Sequence, residues 1–349
     1  MRVAFLTAGD PARLTGGYLY HARVFDLLCQ RGVVVDQIVV SVDPSLHGQD
    51  AVAREIGWVR ECLAQADVVV VDALAAVACR FEIEHWQAER PLVAMVHELP
   101  SVAGGLDDPR LRDAEQRLLT TDLVITVSQH GARLLAERGV VAERIRVVSP
   151  GADRIRQKHA IRSDGHPRRV LSVAQWIPRK GIDTLVAAWG RLHPDDAVLE
   201  LIGETDADPA YAERVQRAIA GAGDSIVIHG AVDDATLAAA FGAADLFVLP
   251  SNYEGYGMVF AEALLHGIPV IAGDVGPVPE LVGPHAGLLV PPGDDDALAS
   301  AIDRVLTDDG LRQRLADGAR QRGRELPTWA DAAEGFHAAL LAAIQMRSG

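Results

Sequence analysis

Residues 251–272 read SNYEGYGMVFAEALLHGIPVIA. The stretch opens where an apolar strand ends, at Leu246, Phe247, Val248, Leu249 and Pro250. It turns through Gly255, Tyr256 and Gly257 and continues as a helix, the strand–turn–helix order of a parallel α/β unit. The first amides of a helix lack intrahelical partners and sit at the positive end of its dipole. Glycine lets such a backbone come close to a ligand, so the amides from Gly255 through Tyr256 and Gly257 to Met258 form a cradle suited to phosphate. Glu254 lies in this turn, and Glu262 follows about one helical turn inside the helix. A carboxylate beside such a cradle repels phosphate and suits hydroxyls. Phosphate and several hydroxyls on one ligand describe a sugar nucleotide.

Outward from this stretch, strands and helices alternate along the whole chain, which predicts parallel sheets of α/β type. In the first half, strands are expected at Arg2–Thr7, Gln37–Ser41, Val68–Val71, Leu92–Val96 and Leu123–Val127, with a Thr15-Gly16-Gly17 turn before a helix from about Tyr18 to Arg31. The segment DRIRQKHAIRSDGHPRR, residues 153–169, is almost free of apolar side chains and reads as a linker. A second α/β series starts at Val170–Val173 and runs through Leu199–Ile202, Ile226–Ile228, Leu246–Leu249 and Pro269–Ala272. Helices are expected at Ala297–Thr307, Leu311–Arg322 and Trp329–Met346. The expected organisation is a first domain over 1–155 and a second over 168–327, without internal repeats. In the second series, Lys180 and Gly181 end the loop of LSVAQWIPRKGIDTLV, residues 171–186, where a cation and a close backbone can meet a diphosphate. His97, in VAMVHELP, ends a strand at the edge where open α/β sheets bind ligands.

Bulk properties exclude several classes. The 349 residues are enough for roughly two domains, and 49% apolar with 23% charged residues is globular. A net charge of −15 and a pI near 5.2 argue against a nucleic-acid partner. The same balance argues against a polybasic grip on anionic lipid, while transient membrane association through a local patch is compatible with it. Cys29, Cys62 and Cys79 are odd in number and lack C-x-x-C spacing, as expected for reduced thiols of a cytoplasmic protein. The apolar start Val3–Leu6 is a first strand and too short for a signal peptide, and no apolar run reaches the length of a transmembrane segment. There is no G-x-G-x-x-G, P-loop, G-x-S-x-G or H-E-x-x-H. No D-x-D stands at a strand end, so a metal site is not expected; the acidic runs at Asp107, Asp195, Asp233, Asp294 and Asp308 read as helix starts or turns.

The spacing Glu254–seven residues–Glu262, set in PS-x-x-E-G-x-G-x-x-x-x-E-A-x-x-x-G-x-P-V with Pro250, Ser251, Gly267, Pro269 and Val270, resembles the retaining glycosyltransferases of family 4. The resemblance implies the GT-B fold: two Rossmann-like parallel-sheet domains facing a cleft, with a C-terminal helix (about 328–346) crossing back to the first domain. It implies that Glu254 holds hydroxyls of the donor sugar and Glu262 the ribose. Lys180 matches the family's diphosphate lysine. The family's arginine five positions earlier is replaced by Gln175, and Arg179 is the neighbouring cation that could substitute for it. The glycine pair Gly16 and Gly17 would meet the donor's phosphate or sugar, and His97 would lie near the reacting carbon. Asp233 or Asp234 would face the base, with a slight preference for guanine over uracil. Ser128 and the Pro150–Asp153 turn match structural landmarks, and Glu280 would cap or pack near the donor. The first domain would bind the acceptor and the second the donor.

The implied activity is retaining transfer of a hexose from a nucleotide-diphosphate sugar, of GDP-mannose or UDP-glucose type, to a hydroxyl acceptor without a metal or other cofactor. Front-face attack is favoured over a covalent intermediate because the family's Glu254 grips hydroxyls. The alternatives are a sugar-nucleotide epimerase on the same fold and a non-catalytic sugar-nucleotide binder. Acceptor and oligomeric state have no readable signature, and beyond the slight preference for guanine neither sugar nor base is decided.

Overall fold

The computed structural model describes residues 1–13, 15–41, 57–103, 108–155, 167–194 and 196–348. Asp107, Asp195 and most of the expected linker (156–166) lie outside them. Two compact units emerge from the contacts: Met1–Gly151 together with Pro327–Gly349, and Ala152–Leu326.

The first unit carries a six-stranded sheet with β1 (Arg2–Ala8), β2 (Val34–Val40), β3 (Val68–Asp72), β4 (Leu92–Val96), β5 (Leu123–Thr126) and β6 (Ile145–Val147) in the order β2-β1-β3-β4-β5-β6. Every pairing is parallel. β3 and β4 are buried at every position, as helices on both faces of a parallel sheet demand. β2 begins three residues before the expected Gln37, because Arg2 of β1 pairs in register with Val34. β6 has no counterpart in the expected strands: only three residues long and half-buried throughout, it lacks an apolar run to mark it. The last helix, Trp329–Ser348, belongs to this unit and buries Trp329, Phe336 and Leu340 in it.

The second unit carries β7 (Arg168–Val173), β8 (Ala197–Ile202), β9 (Ile226–Gly230), β10 (Leu246–Leu249), β11 (Val270–Gly273) and β12 (Gly287–Val290), ordered β12-β11-β10-β7-β8-β9 and parallel throughout. β7 takes in Arg168 and Arg169, which were expected in the linker, because they continue the register with Ala197 and Val198. β12, also unexpected, is a short edge strand paired with β11. The helices Asp234–Ala243, Asp295–Thr307 and Asp309–Glu325 start on aspartate caps: Asp233, Asp294 and Asp308 accept from the amides of Thr236, Ala297 and Leu311. In each sheet one pair of neighbouring strands marks the reversal of winding, β1/β3 in the first and β7/β10 in the second. Doubly wound sheets bind ligands beyond the carboxyl ends of the strands at this point.

Candidate functional site

In the second unit the loops leaving β7 and β10 meet at the reversal point. The carbonyl of Arg179 accepts from the amide of Asn252 at 2.8 Å, which ties the loops together. Gly181 sits at φ +65°, and a Cβ there would stand 2.4 Å from the carbonyl oxygen of Pro250. Only glycine lets this loop lie against the strand end. The approach brings Lys180 Nζ to 2.6 Å from Glu254 Oε1, which also accepts from Ser251 Oγ at 2.7 Å. Arg179 Nη1 is 4.0 Å from the other carboxylate oxygen. Glu254 is buried, 5% exposed. Burial alone would raise its pKa, but Lys180, the hydroxyl of Ser251 and Arg179 outweigh it and hold the carboxyl below its usual range. The expected sugar-binding and diphosphate-binding groups are thus one ionised cluster. Gln175, at the family's arginine position, instead hydrogen-bonds Glu204.

The turn after Glu254 ends on Gly257, in the left-handed region at φ +94°, and the helix Met258–Leu265 begins there without a side-chain cap. Gly255 and Tyr256 are half-buried on the way to it. Glu262 lies one turn in, 2% exposed. Its Oε1 accepts from Arg154 Nε at 2.9 Å, whereas Oε2 is buried without a hydrogen-bond partner. Burial raises this carboxyl and Arg154 only partly opposes it. Arg154 also reaches Asp234 Oδ1 at 2.6 Å. Of the two acids expected at the base, Asp233 caps its own helix through Thr236, and Asp234 is an ion-pair partner of Arg154. Glu280 is exposed in the first turn of the helix Val278–Val282, with its backbone carbonyl accepting from Arg322.

In the first unit, Thr15 caps the helix Gly16–Gln30 by accepting from the amide of Tyr18. Gly16 is exposed; a Cβ on Gly17 would come within 3.6 Å of the ring of His97, so this turn packs on the histidine at the end of β4. His97 Nε2 lies 2.8 Å from His21 Nε2, and burial lowers the His97 pKa to about 4. Asp72, fully buried at the end of β3, lies 3.8 Å from His21 Nδ1. His21, Asp72 and His97 form a group of metal-ligand side chains among the described residues, each with an atom within 4.8 Å of the others. Ser128 caps the helix Gln129–Glu137. Three residues of these clusters, Arg154, His21 and Asp72, were missed from sequence, and Ser251 was read there only as part of the motif. Of the three missed, Asp72 had a usable signal, since it ends the apolar run VVVVD at a sheet edge.

Residues 153–322 match the family model described as glycosyl transferases group 1, and residues 3–156 match that of glycosyltransferase family 4. The chain belongs to the family 4 (group 1) glycosyltransferases. It is 32% identical over 277 residues to the D-inositol 3-phosphate glycosyltransferase of Xylanimonas cellulosilytica, an alignment covering 72% of this chain and 65% of that relative. The chain therefore spans less than two thirds of the relative's length. Sucrose-phosphate synthase from Thermosynechococcus elongatus superposes with a TM-score of 0.82 at 24% identity over 100% of both chains. Anabaena HepE in complex with UDP-glucose superposes with a TM-score of 0.81 at 21% identity over 98% of this chain and 100% of that one. The fold is GT-B. Among the described residues no helix is long and apolar enough to cross a membrane.

Proposed function

We propose that this family 4 member is a retaining hexosyltransferase that moves a hexose from a nucleotide-diphosphate sugar to a hydroxyl acceptor. The carrying observation is the Lys180–Glu254–Ser251 cluster beside the glycine-capped start of the helix Met258–Leu265. In this reading the diphosphate lies on the amides Gly255–Met258 and on Lys180, with Arg179 in the place of the family arginine absent at Gln175. Charge grows on the leaving diphosphate as the anomeric bond breaks, and fixed positive groups stabilise it. Glu254, ionised by its partners, accepts from hydroxyls of the transferred sugar. The unpartnered Oε2 of Glu262 accepts from the ribose, while Arg154 holds the other oxygen. The name of HepE's complex, with UDP-glucose, supports a nucleotide sugar as donor.

We assign the donor to the second unit and the acceptor to the first, where Gly16, Gly17 and His97 form the ligand-facing edge. Front-face attack, with the leaving phosphate oxygen taking the acceptor's proton, fits a Glu254 engaged by Lys180 better than a nucleophilic role does. The cationic partners supply the neutralisation that a metal would otherwise provide. With Asp233 used as a helix cap, Asp234 is the carboxylate of this pair left to favour GDP-mannose over UDP-glucose.

The test is thermal melting against a panel of nucleotide sugars, followed by product analysis with hydroxyl acceptors. One nucleotide sugar should raise the melting temperature and yield an α-linked product from an α-linked donor. Isomerised donor formed without acceptor would point to the epimerase, and binding without turnover to the silent binder.

A further inference from the structure

Behind His97 lies a buried row of polar groups that the proposed reaction does not use. Thr7 Oγ1 donates to Asp72 Oδ2 at 2.8 Å, and the amide of Leu74 donates to Asp72 Oδ1 at 3.2 Å. Asp72 Oδ2 then faces His21 Nδ1 at 3.8 Å, and His21 Nε2 faces His97 Nε2 at 2.8 Å. His21 is 1% exposed and Asp72 fully buried. The two rings are fixed by packing: His21 stacks on Phe25 and meets Phe5 edge-on, and His97 meets Tyr20 edge-on. His21 stands between its neighbours and offers each a different nitrogen, so the group is a row and not three ligands converging on one point.

Proton counting restricts this row. Two ring nitrogens 2.8 Å apart need one N–H and one lone pair between them. Burial keeps both rings neutral. If His21 carried its proton on Nε2, its bare Nδ1 would face a carboxylate, lone pair against negative charge. With Asp72 ionised, the favourable arrangement puts the His21 proton on Nδ1, toward Asp72. His21 Nε2 then accepts from Nε2–H of His97, and His97 Nδ1 is left with its lone pair.

We infer that Asp72 and His21 are positioning residues that hold His97 in its Nε2–H tautomer, so that His97 Nδ1 meets the ligand as a hydrogen-bond acceptor for a hydroxyl. The inference rests on the reading of His97 as a ligand-facing residue. Protonation of Asp72 inverts the row. The carboxylate charge that holds the proton on His21 Nδ1, a nitrogen 3.8 Å away with no hydrogen-bond partner of its own among the described residues, is then gone. With the acid O–H turned toward that nitrogen, the His21 proton moves to Nε2 and is donated to His97, so that His97 Nδ1 becomes a donor. The groups facing the carboxylate are Thr7 from β1, the Leu74 amide after β3, and Tyr18 and His21 from the helix Gly16–Gln30, with His97 after β4 beyond.

The test is long-range proton–nitrogen NMR on the full chain labelled with [15N]histidine, with rings assigned through His21→Gln and His97→Gln. On the alkaline side of the Asp72 pKa of about 7, His97 should show a protonated Nε2 and a bare Nδ1, and His21 the reverse. Asp72→Asn, whose amide can donate to His21, should move both rings toward the opposite tautomers. The same variant should lower kcat by roughly tenfold with donor KM unchanged, the scale of one lost hydrogen bond to the reacting ligand. A wild-type His97 protonated on Nδ1 under these conditions overturns the inference without any variant being made. So do tautomers untouched by Asp72→Asn, or one equivalent of Zn²⁺ binding tightly to both rings. If His97→Ala keeps full activity while the tautomers shift as expected, the relay stands and the catalytic reading of His97 falls.

Discussion

Glu254 and Glu262 are both buried glutamates, yet their surroundings assign them different work. Glu262 should bind the ribose equally in ground and transition states, so Glu262→Ala should chiefly raise the donor KM. Loss of a charged hydrogen bond costs roughly 1.5–3 kcal/mol, on the order of ten- to a hundredfold. Glu254 would touch the sugar that flattens as it is transferred, so Glu254→Gln should lower kcat more than it raises KM. Lys180→Ala should worsen both and also leave Glu254 buried without its closest cation, destabilising the fold by about 1–3 kcal/mol. Steady-state kinetics with saturating acceptor and urea unfolding check the pattern. An unchanged donor KM in Glu262→Ala together with an unaffected Glu254→Gln would remove the donor site from this turn. The glutamates were legible because their spacing and glycines are local. Arg154 was not, since its tie to Glu262 spans 108 positions.

Among the elements, the loop after β7 depends on one backbone conformation. Gly181→Ala would place a Cβ 2.4 Å from the Pro250 carbonyl in a left-handed residue. The left-handed region alone costs an L-residue roughly 1–2 kcal/mol, and the clash must also push Lys180 away from Glu254. We expect a loss of stability above that figure, with a donor affinity that falls as in Lys180→Ala. Urea unfolding and calorimetry with the donor nucleotide measure the two effects. Stability and affinity both equal to the native protein would show that the loop does not need the close approach. The long helices and the central strands were readable because their apolar residues repeat with the right period. β6 and β12 were not, because short edge strands owe their form to pairing with β5 and β11.

For the molecule as a whole, two balances can be measured. Fixed cations in place of a metal predict that transfer survives EDTA; full loss restored by Mn²⁺ would contradict the proposed neutralisation. The second balance is in protons. His97 at about 4 and His21, held well below the ordinary value, stay neutral in the native state, whereas unfolded histidines titrate near about 6.5. As pH falls through this window the unfolded chain takes up protons that the native state refuses, and stability is lost. Asp72, raised by burial to about 7, acts oppositely: its native carboxyl binds a proton before an unfolded one near about 3.9, so acidification stabilises through it. Asp72→Asn should therefore lose more stability than the native chain between about pH 7 and pH 5, compared by urea midpoints. Equal losses would mean that Asp72 does not carry the opposing share. By itself the sequence determined the α/β class, the strand–turn–helix around Glu254 and the family, since each is written in short-range periodicity and spacing. The strand orders, the pairing of Lys180 with Glu254, the hold of Arg154 on Glu262 and the row behind His97 were decided only by the tertiary structure. They join residues distant in the chain, and a carboxylate or imidazole acquires its charge state from the neighbours that folding brings to it.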